Sequence, residues 1–179
     1  MTLLIHDANV LIDLIGIDLL ELALDLPFRM ATTDLVRREI EDPEQAHILT
    51  SCIEKGKINI ITSTIQEMNS IVGTAEKCTC LSLADCSVLY HAIEQEGIVI
   101  SGDGKIRKEA KVQHVEVHGT PWILSQLVRT SGISLSAATE KMEQLMANNP
   151  RLPHMECQEL LETWRLHLNN KTTRRGRSR

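Results

Sequence analysis

Short apolar runs alternate with helix-periodic stretches along the first 118 residues, and this alternation narrows the fold more than any other feature of the chain. Thr2–His6, with Leu3, Leu4 and Ile5, suits a buried parallel strand and ends at Asp7-Ala8-Asn9. Val10–Leu26 predicts one or two short helices, broken near Gly16 and closed by Pro27. A second strand is expected at Arg29–Thr33, followed by a helix that Thr33 or Asp34 caps and that runs through Glu39, stopping before Pro43. Glu44–Lys55 predicts a helix, Lys57–Thr62 a strand, Ser63–Val72 a helix and Gly73–Thr79 a loop. Ser82 opens a helix that places Leu81, Val88, Leu89, Ala92 and Ile93 on one face and stops at Gly97. Ile98–Ser101 is the next strand, Gly102-Asp103-Gly104 a turn, Lys105–Lys111 a helix and His114–His118 a strand.

Strand followed by helix, repeated, argues for an α/β fold of three layers, α/β/α, around a central parallel sheet. From Thr120 the pattern is purely helical: Trp122–Arg129, Ser134–Ala147 and His154–Leu168 predict a closing helical hairpin. We therefore expect one domain in residues 1–130, a helical extension of it in 131–168, and a basic disordered tail in 169–179.

Composition limits what such a fold does. The chain of 179 residues is 42% hydrophobic but only 2% aromatic, so its core is built from Leu, Ile, Val, Ala and Met, with no aromatic platform for stacked bases. Contact with nucleic acid would have to run through phosphates. A net charge of -5 argues against a simple electrostatic binder, yet the last nine residues carry five basic and no acidic side chains, leaving -10 on the other 170. An acidic body serves nucleic-acid chemistry only where bound cations reverse the local field. Five cysteines, at 52, 78, 80, 86 and 157, form no regular disulfide framework, and the N-terminus has neither a basic leader nor a membrane-length apolar run. A cytoplasmic protein with reduced thiols and no membrane partner is expected.

In open parallel sheets ligands bind beyond the carboxyl ends of the strands, where Asp7 and Asp103 are predicted to stand. Asp85, in the first turn of the helix before that last strand, is within reach of the same rim, whereas Glu39 lies late in its helix. Hard divalent cations such as Mg2+ or Mn2+ prefer carboxylate oxygens and both activate water and offset phosphate charge. Each acid also has a plainer explanation. Asp85 completes an S-x-x-D cap with Ser82, Asp103 suits a turn, Asp7 suits a helix cap, and Glu39 suits a solvated face.

Taken together the acids are more specific. IHDANVLIDL, TTDLVRREI, LSLADCSVL and VISGDGKIRKEA, in this order, resemble the four acidic motifs of PIN domains, over roughly residues 1 to 130. The resemblance implies a metal-dependent ribonuclease in which Asp7, Glu39, Asp85 and Asp103 are catalytic, metal-binding acids for Mg2+ or Mn2+, with Asn9 and Ser101 supporting them. It also implies hydrolysis to 5'-phosphate and 3'-hydroxyl ends. Asp34, Glu41 and Asp42 compete with Glu39 for the second motif. Lys105, Arg107 and Lys108 read equally as RNA phosphate contacts or as an exposed helix face. Many PIN domains stop near residue 130, so the helices beyond are a departure.

The family further implies that small members act as the toxin of a toxin-antitoxin pair, with an antitoxin-like protein inhibitor. Leu11–Leu26 and the C-terminal Leu145, Met146, Leu160, Leu161, Trp164 and Leu168 are candidate surfaces for such a partner or for a homodimer, although packing in the core explains them as well. Two rivals stand against the nuclease: a catalytically silent PIN fold serving as a protein-binding scaffold, and a haloacid-dehalogenase-like phosphatase, which needs an Asp where Asn9 stands. Cys78-Thr79-Cys80 and the set His114, Glu116 and His118 lack the second ligand pair of a zinc site.

Overall fold

The computed structural model describes residues 1–176, with side chains as far as Asn169. The expected basic tail falls outside the described side chains.

Five parallel strands make one sheet: β1 (Leu3–His6), β2 (Arg29–Thr33), β3 (Asn59–Ile61), β4 (Ile98–Ile100) and β5 (Val117–His118), in the spatial order β3-β2-β1-β4-β5. Between them run α1 (Ala8–Gly16), α2 (Leu20–Leu24), α3 (Asp34–Glu39), α4 (Pro43–Glu54), α5 (Ile65–Lys77), α6 (Leu83–Glu94) and α7 (Gly104–Val112). The three-layer α/β/α arrangement expected from the alternation is the one found. All four residues of β1 are buried, as a strand covered on both faces requires, and it pairs with β2 on one side and β4 on the other. The strand order reverses at β1 and β4. That reversal opens a crevice at their carboxyl ends, where Asp7 and Ser101 leave the sheet.

The chain divides into two compact units, Met1–Thr120 and a second starting at Pro121. In the second, α8 (Thr120–Arg129) leads to α9 (Leu135–Asn148) and α10 (His154–Gly176), and α9 packs on α10. Leu145, Leu161 and Trp164 are buried, while Met146, Leu160 and Leu168 are half-buried. Leu11–Leu26 is core: Leu11, Leu14, Ile17, Leu19, Leu20, Leu24 and Leu26 are buried, and Leu22 alone of its large apolar side chains is well exposed. Of the two readings the sequence leaves open for this segment, that burial favours core packing over a docking surface. Among the described residues no helix is long and apolar enough to cross a membrane.

Local departures from the sequence expectations have identifiable causes. Helix α5 runs through Gly73 to Lys77 rather than ending at Val72. A capping box between Thr64 and Glu67 starts it, and the Thr74 hydroxyl donates to Ser70 O at 3.0 Å beyond the glycine. His114 does not begin β5. It has φ 57 and closes α7, with His114 N–H bonded to Lys111 O and Val115 N–H to Ala110 O, the paired bonds of a Schellman stop. Gly97 has a different task from the stop assigned to it. Glu96 takes the left-handed conformation after α6, and a Cβ on Gly97 would stand 3.3 Å from Leu3 O, so glycine lets the chain pass β1.

Candidate functional site

The two strand-borne acids are joined by a polar network that is buried at Asp7 and Ser101 and half-buried at Asn9 and Asp103. Asp7, 3% exposed, caps α1 by accepting from Ala8 N–H through Oδ1 at 2.7 Å. Its Oδ2 accepts from the Ser101 hydroxyl at 2.7 Å and from the Asn9 side-chain amide. Ser101 Oγ accepts in turn from Asp103 N–H at 3.1 Å, and Asn9 Oδ1 accepts from Gly102 N–H at 2.8 Å. A Cβ at Gly102 would stand 3.3 Å from that oxygen, which makes glycine the side chain that fits. Asp103 then caps α7, its Oδ1 accepting from Lys105 N–H at 2.6 Å and Ile106 N–H at 3.4 Å.

The helix-borne acids meet at the start of α6. Ser82 and Asp85 form a capping box: Asp85 N–H donates to Ser82 Oγ at 3.0 Å, and Ser82 N–H donates to Asp85 Oδ2 at 2.8 Å. Ser82 Oγ also donates to Glu39 Oε1 at 3.4 Å, which brings the end of α3 to α6. Deeper in, the hydroxyls of Thr33 and Ser87 are 2.7 Å apart, and Thr33 caps α3 through Val36 N–H. Of the acids competing for the second motif, Asp34 pairs with Arg38 and Asp42 caps α4. Only Glu39 among them is bonded to the helix that carries Asp85.

The two groups face each other electrostatically. Burial, joined by the negative charges of Asp85 and Glu39, raises Asp7 to about 6 despite its hydrogen bonds from Ser101 and Ala8. Burial and Asp85 together raise Glu39 above the usual carboxylate range, against the Ser82 hydrogen bond. Asp7, Glu39 and Asp85 therefore share one field, and Ser101 links Asp103 to Asp7. Among the described residues no three His, Cys, Asp or Glu groups converge closely enough to hold one ion. The acids line a rim, and the plainer capping roles are real. Each cap uses one carboxylate oxygen, however: no hydrogen bond among the described residues engages Oδ1 of Asp85 or Oδ2 of Asp103.

The profile of a sequence family described as a PIN domain matches residues 3–165. The chain belongs to the PIN domain family. That match takes in the helices beyond residue 130 as far as residue 165. PIN domains are usually nucleases and generally depend on divalent metal, and membership supports a hydrolase for this chain at the coarse level. Its fold is similar to a chain of the crystal structure of VapBC2 from Rickettsia felis bound to a DNA fragment from their promoter. The TM-score is 0.46 and the identity 13%, over 66% of this chain and 98% of that one. No curated protein matches the sequence.

The remaining sequence-predicted residues fall as follows. Lys105 and Lys108 are exposed and Arg107 is half-buried on α7, directly after Asp103, and no ion pair among the described residues engages them. The His114, Glu116 and His118 set is not on one strand face, because β5 has only two residues; His118 Nε2 lies 2.7 Å from Glu116 Oε1. Sequence reasoning missed three side chains that hold the site. Ser82 was read as a cap alone, while the Thr33 and Ser87 contact spans 54 positions and leaves no local signal.

Proposed function

We propose that this PIN domain is a ribonuclease that needs Mg2+ or Mn2+. One observation carries the reading: Asp85 and Asp103 are each fixed by a single oxygen in a helix cap and present the other, beside an Asp7 whose charge is repelled by Asp85 and Glu39. The donor set fits a hard cation, and Mg2+ is characteristically bound by one or two carboxylates plus substrate phosphates rather than by a complete protein cage. One or two of Asp7, Asp85, Asp103 and Glu39 would hold it together with substrate phosphate, the remaining acids completing the rim. A cation there supplies polarisation of the phosphodiester and activation of water.

The chain's own groups do the rest. Ser101 and Asn9 fix Asp7 Oδ2 in place, and the main-chain bond from Asp103 to Ser101 keeps the two strand-borne acids in register. Glu39, with its raised proton affinity, is suited to accept the proton of the attacking water. Lys105, Arg107 and Lys108 flank Asp103 and are suited to phosphates, which directs the site to the backbone of RNA rather than to its bases. Asn9 donates to Asp7, so it cannot serve as the second acid of a phosphatase.

The test is cleavage of single-stranded and structured RNA by the wild type and by Asp103→Asn, with and without chelator. Activity that depends on both metal and Asp103 supports the reading; cleavage that survives chelation or the substitution overturns it. A silent scaffold is the second reading, favoured by the absence of a three-ligand cluster among the described residues. Calorimetric Mn2+ binding that is lost in Asp7→Asn separates the two. The family resemblance extends the proposal to a protein inhibitor of the toxin-antitoxin kind: growth arrest on expression, relieved by co-expression of a neighbouring small protein, is the expected result, and unimpaired growth with active protein sinks that extension.

A further inference from the structure

The Cys78-Thr79-Cys80 triplet finds no use in the reaction, and its place in the fold gives it another. Cys78 ends α5, with its N–H on Thr74 O at 2.8 Å, and Leu81 N–H returns to Cys78 O at 3.0 Å. Residues 78–81 are therefore a closed turn. Two positions along an extended chain span at most about 7 Å between Cα atoms, and a turn brings them nearer, into the window of roughly 4.4–6.8 Å that disulfides bridge. Cys80 is exposed and Cys78 half-buried, so the pair is open to solutes. Cys86, the nearby third thiol, is buried and pushed up to about 11, and burial also raises the half-buried Cys78 thiol, which leaves the exposed Cys80 as the attacking group.

The turn leads straight into Ser82, the residue whose backbone and hydroxyl hold Asp85 and reach Glu39. We propose that Cys78 and Cys80 form a thiol-disulfide exchange site whose oxidation loosens the capping box at Ser82 and Asp85. The oxidant is a small-molecule disulfide. The Cys80 thiolate attacks one of its sulfurs, forming a mixed disulfide and expelling the other sulfur as a thiolate. Cys78 gives up its proton and attacks the Cys80 sulfur, expelling the second small thiol. In balance the protein loses two hydrogens and forms one S–S bond, while the small disulfide becomes two thiols. The new ring constrains the backbone of residues 78–80, and Leu81 and Ser82 must shift with it. The consequence for catalysis rests on the proposed role of Asp85; the chemistry at the thiols does not.

Reduced full-length protein incubated with oxidised glutathione tests both parts. Intact mass should fall by two hydrogens, with a peptide joining Cys78 to Cys80, and Cys78→Ser should instead retain a glutathione adduct on Cys80. Phenylarsine oxide, which clamps neighbouring thiols, should bind the reduced wild type and not Cys80→Ser. A wild type that keeps the adduct, stays unmodified, or links Cys80 to Cys86 overturns the site. Coupling is read by amide hydrogen exchange at Asp85, expected to speed by roughly tenfold on oxidation and to recover with reductant; unchanged exchange in the disulfide form overturns it. Mn2+ binding by the reduced protein is measured alongside, and its failure would count against the proposed nuclease alone.

Discussion

The two halves of the acidic rim are built differently. Asp7 and Asp103 belong to strand ends, and between them lies a relay, buried at Asp7 and Ser101 and half-buried beyond, in which every polar group of Ser101 and Asn9 that the site uses has a partner at hydrogen-bond distance. Glu39 and Asp85 belong to helix ends, and the direct link between them is one solvent-exposed contact of 3.4 Å through Ser82. A satisfied buried network has a single geometry, whereas an exposed contact of that length competes with water and contributes little rigidity. The strand half is therefore preorganised, and the helix half is adjustable.

The sharpest break between the halves should appear in turnover. Asp103→Asn is expected to lower metal-dependent RNA cleavage by at least about a hundredfold and Glu39→Gln by about tenfold, measured under single-turnover conditions. Equal losses would mean that the two halves are equally committed. Next in size are the supports. Ser101→Ala should weaken Mn2+ binding by roughly tenfold to a hundredfold, the range for groups that orient metal ligands. Ser82→Ala should weaken it no more than about threefold, its main cost being the helix cap, about 1 kcal/mol in thermal unfolding.

A third contrast concerns charge in the metal-free protein. Asp7 has a folded pKa of about 6 against 3.8 for an ordinary carboxyl, so between those values the folded chain holds the extra proton and stability falls as pH rises. The penalty is complete above about pH 6. Asp7→Asn should then stabilise the metal-free protein at pH 7 by about 1–2 kcal/mol, less than the full shift because one amide cannot accept every hydrogen bond of the carboxylate. His6 runs the other way. Buried, with Nδ1 3.2 Å from Ala31 O, it is pushed down to about 4 from 6.5, so its contribution is present above pH 6.5 and lost as pH falls toward 4. The wild type should show a shallow stability profile between pH 4 and 6.5, and Asp7→Asn a steep acid limb. Parallel profiles from denaturant titrations would refute the assignment of the elevated group to Asp7. The smallest expected effect is that of Ser87→Ala, about 1 kcal/mol of stability with turnover changed less than about threefold, because the Thr33 and Ser87 contact steadies the adjustable half from a distance.

What the sequence made legible follows the same division. Asp7 and Asp103 were readable because each directly follows an apolar strand, a local signal that the sheet topology turns into proximity. Glu39 was readable only through its family resemblance, since its approach to Asp85 depends on contacts 43 and 54 positions apart. Helix ends were the other blind spot. After α1, α4, α6, α7 and α8 the chain stops with the same paired main-chain bonds, at Asp18, Gly56, Glu96, His114 and Ser131, all with positive φ. Only Gly56 advertises the conformation. At the other four, tertiary packing imposes a backbone state that the side chain does not announce, which is why β5 is shorter, and Gly97 differently employed, than the pattern implied.

The place of β1 in the sheet also governs when the rim comes into being. The first strand to be made is the middle strand of the finished sheet, and its β4 neighbour is not available until Ile98–Ile100 has been synthesised. The bond from Ser101 to Asp7 closes a loop of 94 positions. Long-range parallel pairing of this kind is slow, because the entropy of closure is lost before the contacts form. A nascent chain therefore carries an apolar strand with one open edge for much of its synthesis, a state prone to wrong pairing. It also carries Asp7 without Ser101 or Asp103, so strand order itself delays assembly of the acidic rim until β4 and the turn after it have been made.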